Sequence, residues 1–151
     1  MLPRSDARIA RSQVFILGRF DSAHKPTLDA LRDALAAHRD RYAPTVFDFD
    51  KRTERNLTES VRTYALTSRF VIADISAPRC VPHELMAIVP NSPSIPVVPI
   101  LRDSEEPYAM FNDLLAYPWV LPPVRYRDDA DLVARLQQDV IAPAEKRLQN
   151  P

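Results

Sequence analysis

A single glycine, Gly18, serves the whole chain of 151 residues, which carries fifteen prolines. Average usage of about 7% Gly and 5% Pro would supply severalfold more glycine and about half the proline. The Walker A loop, the GxGxxG dinucleotide fingerprint and the GxSxG nucleophile elbow all need several glycines at fixed spacing, so none of them can be built here. Proline-rich connections are stiff, so any closing over a site falls to the polar stretch DKRTERN at residues 50–56 rather than to a glycine hinge.

The remaining composition narrows the class. A lone cysteine, Cys80, excludes a disulfide framework and every multi-cysteine metal site, and fits a cytoplasmic chain. Twenty basic residues balance twenty acidic ones, which argues against nucleic acid or a membrane surface as partner and for a small molecule or a protein. His24, His38 and His83 are scattered, with no HExxH, so no metal site is expected. No apolar run approaches the length of a membrane span, and no export signal is visible.

Apolar runs alternate with amphipathic stretches along the chain. VFILGRF at 14–20 is continuously apolar until it meets glycine and charge, as suits a strand buried on both faces. PTLDALRDALAAHRD at 26–40 repeats Leu28, Leu31 and Leu35 at helical spacing behind a proline start. TVFDFD at 45–50 is a second strand, LTESVRTYALTS at 57–68 a helix, and RFVIADIS at 69–76 a third strand stopped by Ser76, Ala77 and Pro78. HELMAIV at 83–89 reads as a short helix bounded by Pro82 and Pro90. IPVVPIL at 95–101 is β-rich, but its two prolines point to an edge or irregular strand. A short helix in EEPYAMFNDLLAY, an extended WVLPPVRY and a final helix from Asp129 with Leu132, Leu136 and Val140 inward complete the order.

This βα alternation with short connections predicts an α/β fold. It is a flavodoxin-like three-layer sandwich, with a five-stranded mostly parallel sheet and helices on both faces. Residues 1–12 read as an N-terminal extension and 13–151 as one domain. Ligands of such sheets bind at the carboxyl ends of the strands. Strand one delivers Gly18, Arg19 and Phe20 there, strand two Asp50, Lys51 and Arg52, and strand three Asp74 and Ser76. Guanidinium and ammonium groups suit phosphates, and carboxylates suit ribose hydroxyls. Asp74 serves equally well as a tie for the following loop. Glu84, near the third position of its helix, is either a helix-capping carboxylate or one aimed into the crevice, where it would stabilise positive charge on a sugar carbon.

Three stretches carry a family resemblance: VFILGRF, ESVRTYALTSRFVIADIS, and CVPHELMAIVPNSPSIPVVPI, with its cysteine ahead of a Glu-Leu pair and an Ile-Pro-Val strand beyond. The layout resembles the Toll/interleukin-1 receptor (TIR) superfamily in its divergent bacterial form. The resemblance implies a flavodoxin-like fold and cleavage of the nicotinamide ribosyl bond of NAD, by hydrolysis or cyclisation, with NAD as substrate and no resident cofactor. It makes Glu84 the catalytic candidate. It also implies self-association into homo-oligomers, an effector or sensor protein as partner, and a setting in bacterial antiphage defence. A non-catalytic signalling module of the same fold is the alternative. More distantly, Ala73 and Asp74 ending the third strand resemble nucleoside deoxyribosyltransferases, which act on the same anomeric carbon.

Overall fold

The computed structural model describes residues 12–18, 22–38, 41–48, 65–75, 88–107 and 111–149. Five strands, β1 (Gln13–Gly18), β2 (Ala43–Asp48), β3 (Phe70–Asp74), β4 (Val97–Arg102) and β5 (Val124–Tyr126), form one sheet in the order β2-β1-β3-β4-β5. Every pairing is parallel. The order reverses direction after β1, so the switch point of the sheet lies between β1 and β3.

Side-chain alternation divides the core in two. Val14 and Ile16 of β1, Phe70 and Ile72 of β3, and Val98 and Ile100 of β4 face one layer. Phe15, Leu17, Val71, Ala73, Val97 and Leu101 face the other. All are essentially inaccessible, which is why these strands read as continuous apolar runs rather than alternating ones.

The first layer is built from α1 (Lys25–Ala36), α3 (Asp129–Arg135), a π-helical segment (Leu136–Ile141) and α4 (Ala142–Gln149). Leu28, Leu31 and Leu35 of α1 are fully buried against the sheet, each contributing about 1.5–3 kcal/mol of burial. The second layer holds Ala65, a 3-10 turn (Val89–Asn91) that runs through Pro90, and α2 (Phe111–Leu114). Helices on both faces of a five-stranded parallel sheet make this a flavodoxin-like α/β sandwich. Most of the expected helices at 57–68 and 83–89 lies outside the described residues.

The prolines of β4 left an edge or an irregular strand open, and the second holds. β4 is interior, paired with β3 on one side and β5 on the other, but its pairing toward β5 is interrupted. The hydrogen bonds explain why. Val97 N–H donates to Trp119 O (3.0 Å) and Leu121 N–H to Val97 O (2.9 Å), so residues 97 and 99 turn their polar groups toward β5. In a continued ladder Pro99 would donate to Leu121 and Pro123 to Pro99, and neither has an N–H to give. The partner chain bulges there instead. From the bridge Val97–Val120 to the pair Ile100–Val124, β4 advances three residues and the facing chain four.

Candidate functional site

The carboxyl edge of the sheet collects Gly18, Asp48, Asp74 and Arg102 from the ends of β1 to β4. Gly18 is in register with Asp48, and the neighbouring Leu17 with Ala73. Asp74 is 1% exposed, a carboxylate taken almost wholly out of water at the end of an apolar strand. Its parity with Phe70 and Ile72 turns it toward the α1 layer, as it does Gly18 and Arg102.

Gly18 meets a specific neighbour. A Cβ placed on it would lie 2.6 and 2.8 Å from the Cδ atoms of Leu28. The bare backbone therefore admits α1 against the sheet, and the volume it clears on that side is filled by a leucine.

A polar clasp joins three elements at this edge. The Arg102 Nη2 donates to the Ala23 carbonyl and, at 3.0 Å, to Thr27 Oγ1. Thr27, fully buried on the first turn of α1, donates its hydroxyl hydrogen bond to Asp129 Oδ1 at 2.5 Å. Beside it, His24 Nε2 and Glu105 Oε1 stand 3.5 Å apart, linking the entry of α1 to the loop after β4. The end of β4 is thus tied to the N-terminal ends of both α1 and α3. Strand-end reasoning covered the first three strands and missed Arg102, although it directly follows IPVVPIL and obeys the same rule. Thr27, Glu105 and Asp129 carry no local signal: the packing of α1 on α3 brings Thr27 to Asp129, and the loop after β4 brings Glu105 to His24.

Of the expected site residues, the described structure brings Gly18 and Asp74 to this edge. Arg19, Phe20, Asp50, Lys51, Arg52, Ser76 and Glu84 lie outside the described residues. Among the described residues no group of His, Cys, Asp or Glu is arranged to hold a metal ion. No helix among them is long and apolar enough to cross a membrane.

The opposite edge holds a different charged cluster. Arg69 donates to Glu145 through Nε (2.7 Å) and Nη2 (2.5 Å), and Tyr42 Oη donates to the same carboxylate at 2.9 Å. Burial pushes the Tyr42 phenol up to about 12, and its hydrogen bond to Glu145 adds to the rise. Burial also works against the charge on Glu145, but the bonds from Arg69 and Tyr42 outweigh it and hold the carboxyl below its ordinary value. Tyr42 precedes β2 and Arg69 precedes β3, so this network pins α4 to the amino ends of the strands, away from the carboxyl edge.

The edge, the strand order and the two helical layers define the class: a doubly wound α/β fold with polar side chains gathered at its carboxyl edge. The sequence matches no protein-family model, and no curated protein matches it. Among solved structures it is similar to a CMP N-glycosidase of Clostridium botulinum, at 14% identity over 83% of this chain and 99% of that one, with a TM-score of 0.59. It is also similar to a response regulator receiver protein of Sinorhizobium medicae, at 13% identity over 93% and 97% of the two chains, with a TM-score of 0.52. Both likenesses are of fold.

Proposed function

We propose that the protein cleaves the N-glycosidic bond of a nucleotide at the carboxyl edge of its sheet, with NAD as the substrate class. The observation that carries this reading is the almost fully buried Asp74 carboxylate at the end of β3, next to the switch point, in a fold shared with a CMP N-glycosidase.

Breaking the C1′–N bond leaves positive charge on the ribosyl carbon, which a nearby carboxylate stabilises. In this reading Glu84 supplies that carboxylate. Asp74 accepts hydrogen bonds from the ribose hydroxyls, and Arg102 with Arg19, Lys51 and Arg52 answers the phosphates. Nicotinamide, cationic at its ring nitrogen in NAD, departs with the bonding electron pair as a neutral molecule and needs no proton, whereas cytosine leaving CMP must take one up; water, giving up a proton, or an internal nucleophile then completes the sugar carbon. Support for the nucleotide class comes from two independent directions, the TIR-like sequence pattern around Glu84 and the glycosidase fold.

The test is incubation of the purified chain with NAD and, separately, with CMP, following nicotinamide and cytosine by chromatography. Release of nicotinamide that falls by about a hundredfold or more in Glu84→Gln supports the reading, since such a loss matches removal of a charge acting on the transition state. Release of cytosine alone would move the substrate from NAD to a pyrimidine nucleotide. No release from either compound, or equal release by Glu84→Gln, would overturn the assignment of Glu84.

A further inference from the structure

Two cavities border the segment from Leu121 to Arg125, and neither is lined by Gly18, Asp74 or Arg102. One measures about 420 Å³ and is lined in part by Leu121, Pro122, Pro123, Arg125, Arg135 and Pro143. The other, about 280 Å³, is lined by Leu121, Pro143, Lys146 and Arg147. Leu121 and Pro143 belong to both, so the two form one trough that is open to solvent. Prolines keep it from closing. Pro99 and Pro123 cannot donate, and the chain bulges away from β4 between them. Ahead of Pro143 the helix widens to a π turn, with the Ala142 N–H reaching back to Gln137 O, because in a regular α-helix the proline ring would press on the carbonyl of Asp139.

The trough is apolar and cationic together. Its lining includes Val98 and Val124 besides Leu121 and the three prolines, and it carries four cations, Arg125, Arg135, Lys146 and Arg147, against one carboxylate, Asp139. The chain as a whole is balanced at twenty charges of each sign, so the excess is local. Arg135 is neutralised where it stands, donating through Nε to Asp139 Oδ2 at 2.7 Å with Asp131 Oδ2 at 3.4 Å. Arg125 and Lys146 are exposed and Arg147 is half-buried. Neither Arg125 nor Arg147 has a carboxylate partner among the described residues.

The backbone beside the trough limits how a partner can be held. β5 is an edge strand, but its outward Arg125 carbonyl accepts from Arg135 Nη1 (2.5 Å) and the Arg127 N–H donates to Asp131 Oδ2 (2.9 Å). Strand addition is thereby blocked, and a partner must engage through side chains. A compact anion would fill one cavity and stay largely in water, whereas small-ligand sites enclose most of their ligand. A chain laid along the trough can set an apolar side chain in each cavity and a carboxylate against the cations of each. We propose that this trough docks a partner protein through an acidic segment bearing spaced apolar side chains. The proposal is independent of where glycosidic cleavage occurs.

The test is fluorescence anisotropy of a labelled peptide, EELFDELE, titrated with the intact chain. Saturable binding with a Kd of about 10–100 μM is expected, weakening severalfold between about 50 and 300 mM salt. The serine-substituted peptide EESSDESE and the reversed peptide KKLFKKLK should bind at least about tenfold more weakly. Arg125→Glu, and Lys146→Glu together with Arg147→Glu, should each cost about tenfold, while Arg32→Glu on α1 should change nothing. Should a reversal disturb the circular dichroism, Arg125→Gln and Arg147→Gln should still weaken binding about threefold. Amide shifts of the ¹⁵N-labelled chain should centre on Leu121, Arg125, Gln138, Lys146 and Arg147. No saturable binding up to about 1 mM peptide, equal binding of the serine peptide, or an equal effect of Arg32→Glu overturns the proposal. Binding to phosphatidylserine vesicles but not to the peptide overturns it in favour of a lipid surface. Self-association lost in Arg125→Glu, with no peptide binding, overturns it in favour of a second copy. Shifts confined to Gly18, Asp74 and Arg102 overturn it too and leave glycosidic cleavage standing, while absent base release leaves this trough untouched.

Discussion

Replacing Gly18 by alanine tests how the α1 layer is seated on the sheet. Gly18 does not adopt a positive φ, so alanine can take the same backbone conformation. On chain entropy alone the change would stabilise the protein by about 0.4–1 kcal/mol. Packing opposes it. The new methyl would lie 2.6 and 2.8 Å from the Cδ atoms of Leu28, whereas carbon atoms in contact settle at ~3.5–4.0 Å. Leu28 is wholly inaccessible and cannot swing into solvent to make room. An overlap of roughly 1 Å in a filled core costs about 1–3 kcal/mol, so the net expectation is a loss of about 1–2 kcal/mol. For a chain of this size that lowers Tm by about 2–8 °C. Urea unfolding should show a lower midpoint at an unchanged slope. Leu28→Ala alone should cost about 2–5 kcal/mol. Combined with Gly18→Ala it should cost less than the two losses added, by about 1–2 kcal/mol, because the added methyl enters the vacated space. A Gly18→Ala protein as stable as the parent, or a strictly additive double-mutant cycle, would refute the seating of α1 described above.

Further outcomes concern the network at the amino edge. Removing Glu145 as Glu145→Ala leaves the Arg69 charge, 11% exposed, without its bidentate partner, and unfolding experiments should show a loss of about 3 kcal/mol. The Glu145 carboxyl is held below its ordinary value, so its contribution is present above about pH 4.3 and is lost as the pH falls through the folded value; Glu145→Gln should flatten that acid limb of the stability profile. Tyr42 has the opposite sign. Its phenol is raised to about 12, so its contribution is full below about pH 10 and is lost as the pH climbs toward 12. Ultraviolet titrations of the parent and of Tyr42→Phe should differ by one tyrosine that ionises only as the pH climbs toward 12, and a difference appearing near pH 10 would contradict the burial of that hydroxyl.

The strands and the helices among the described residues were legible because burial on both faces writes itself locally. VFILG and FVIAD are apolar at every inward position, and Leu28, Leu31 and Leu35 repeat at the helical period. The placing of Asp74 at a carboxyl strand end followed from the same pattern and from chain direction. The seat of Gly18 was half legible: its position at the end of β1 could be read, but not that a leucine ten residues on occupies the space it clears.

What only the tertiary structure decided depends on partners distant in sequence. Prolines within β4 argue for an edge or an irregular strand when the strand is considered alone. The strand is interior because the chain facing Pro99 carries Pro122 and Pro123 and bulges exactly where the donors are missing. Thr27 is an ordinary helix-start threonine until α3 brings Asp129 to its hydroxyl and β4 brings Arg102 to its oxygen, more than seventy residues away in each case. Local sequence determines which segments bury their faces, through periodic apolar side chains. It does not record which polar groups will meet, because a hydrogen bond between distant residues is set by how whole elements pack and leaves no periodic trace in either segment.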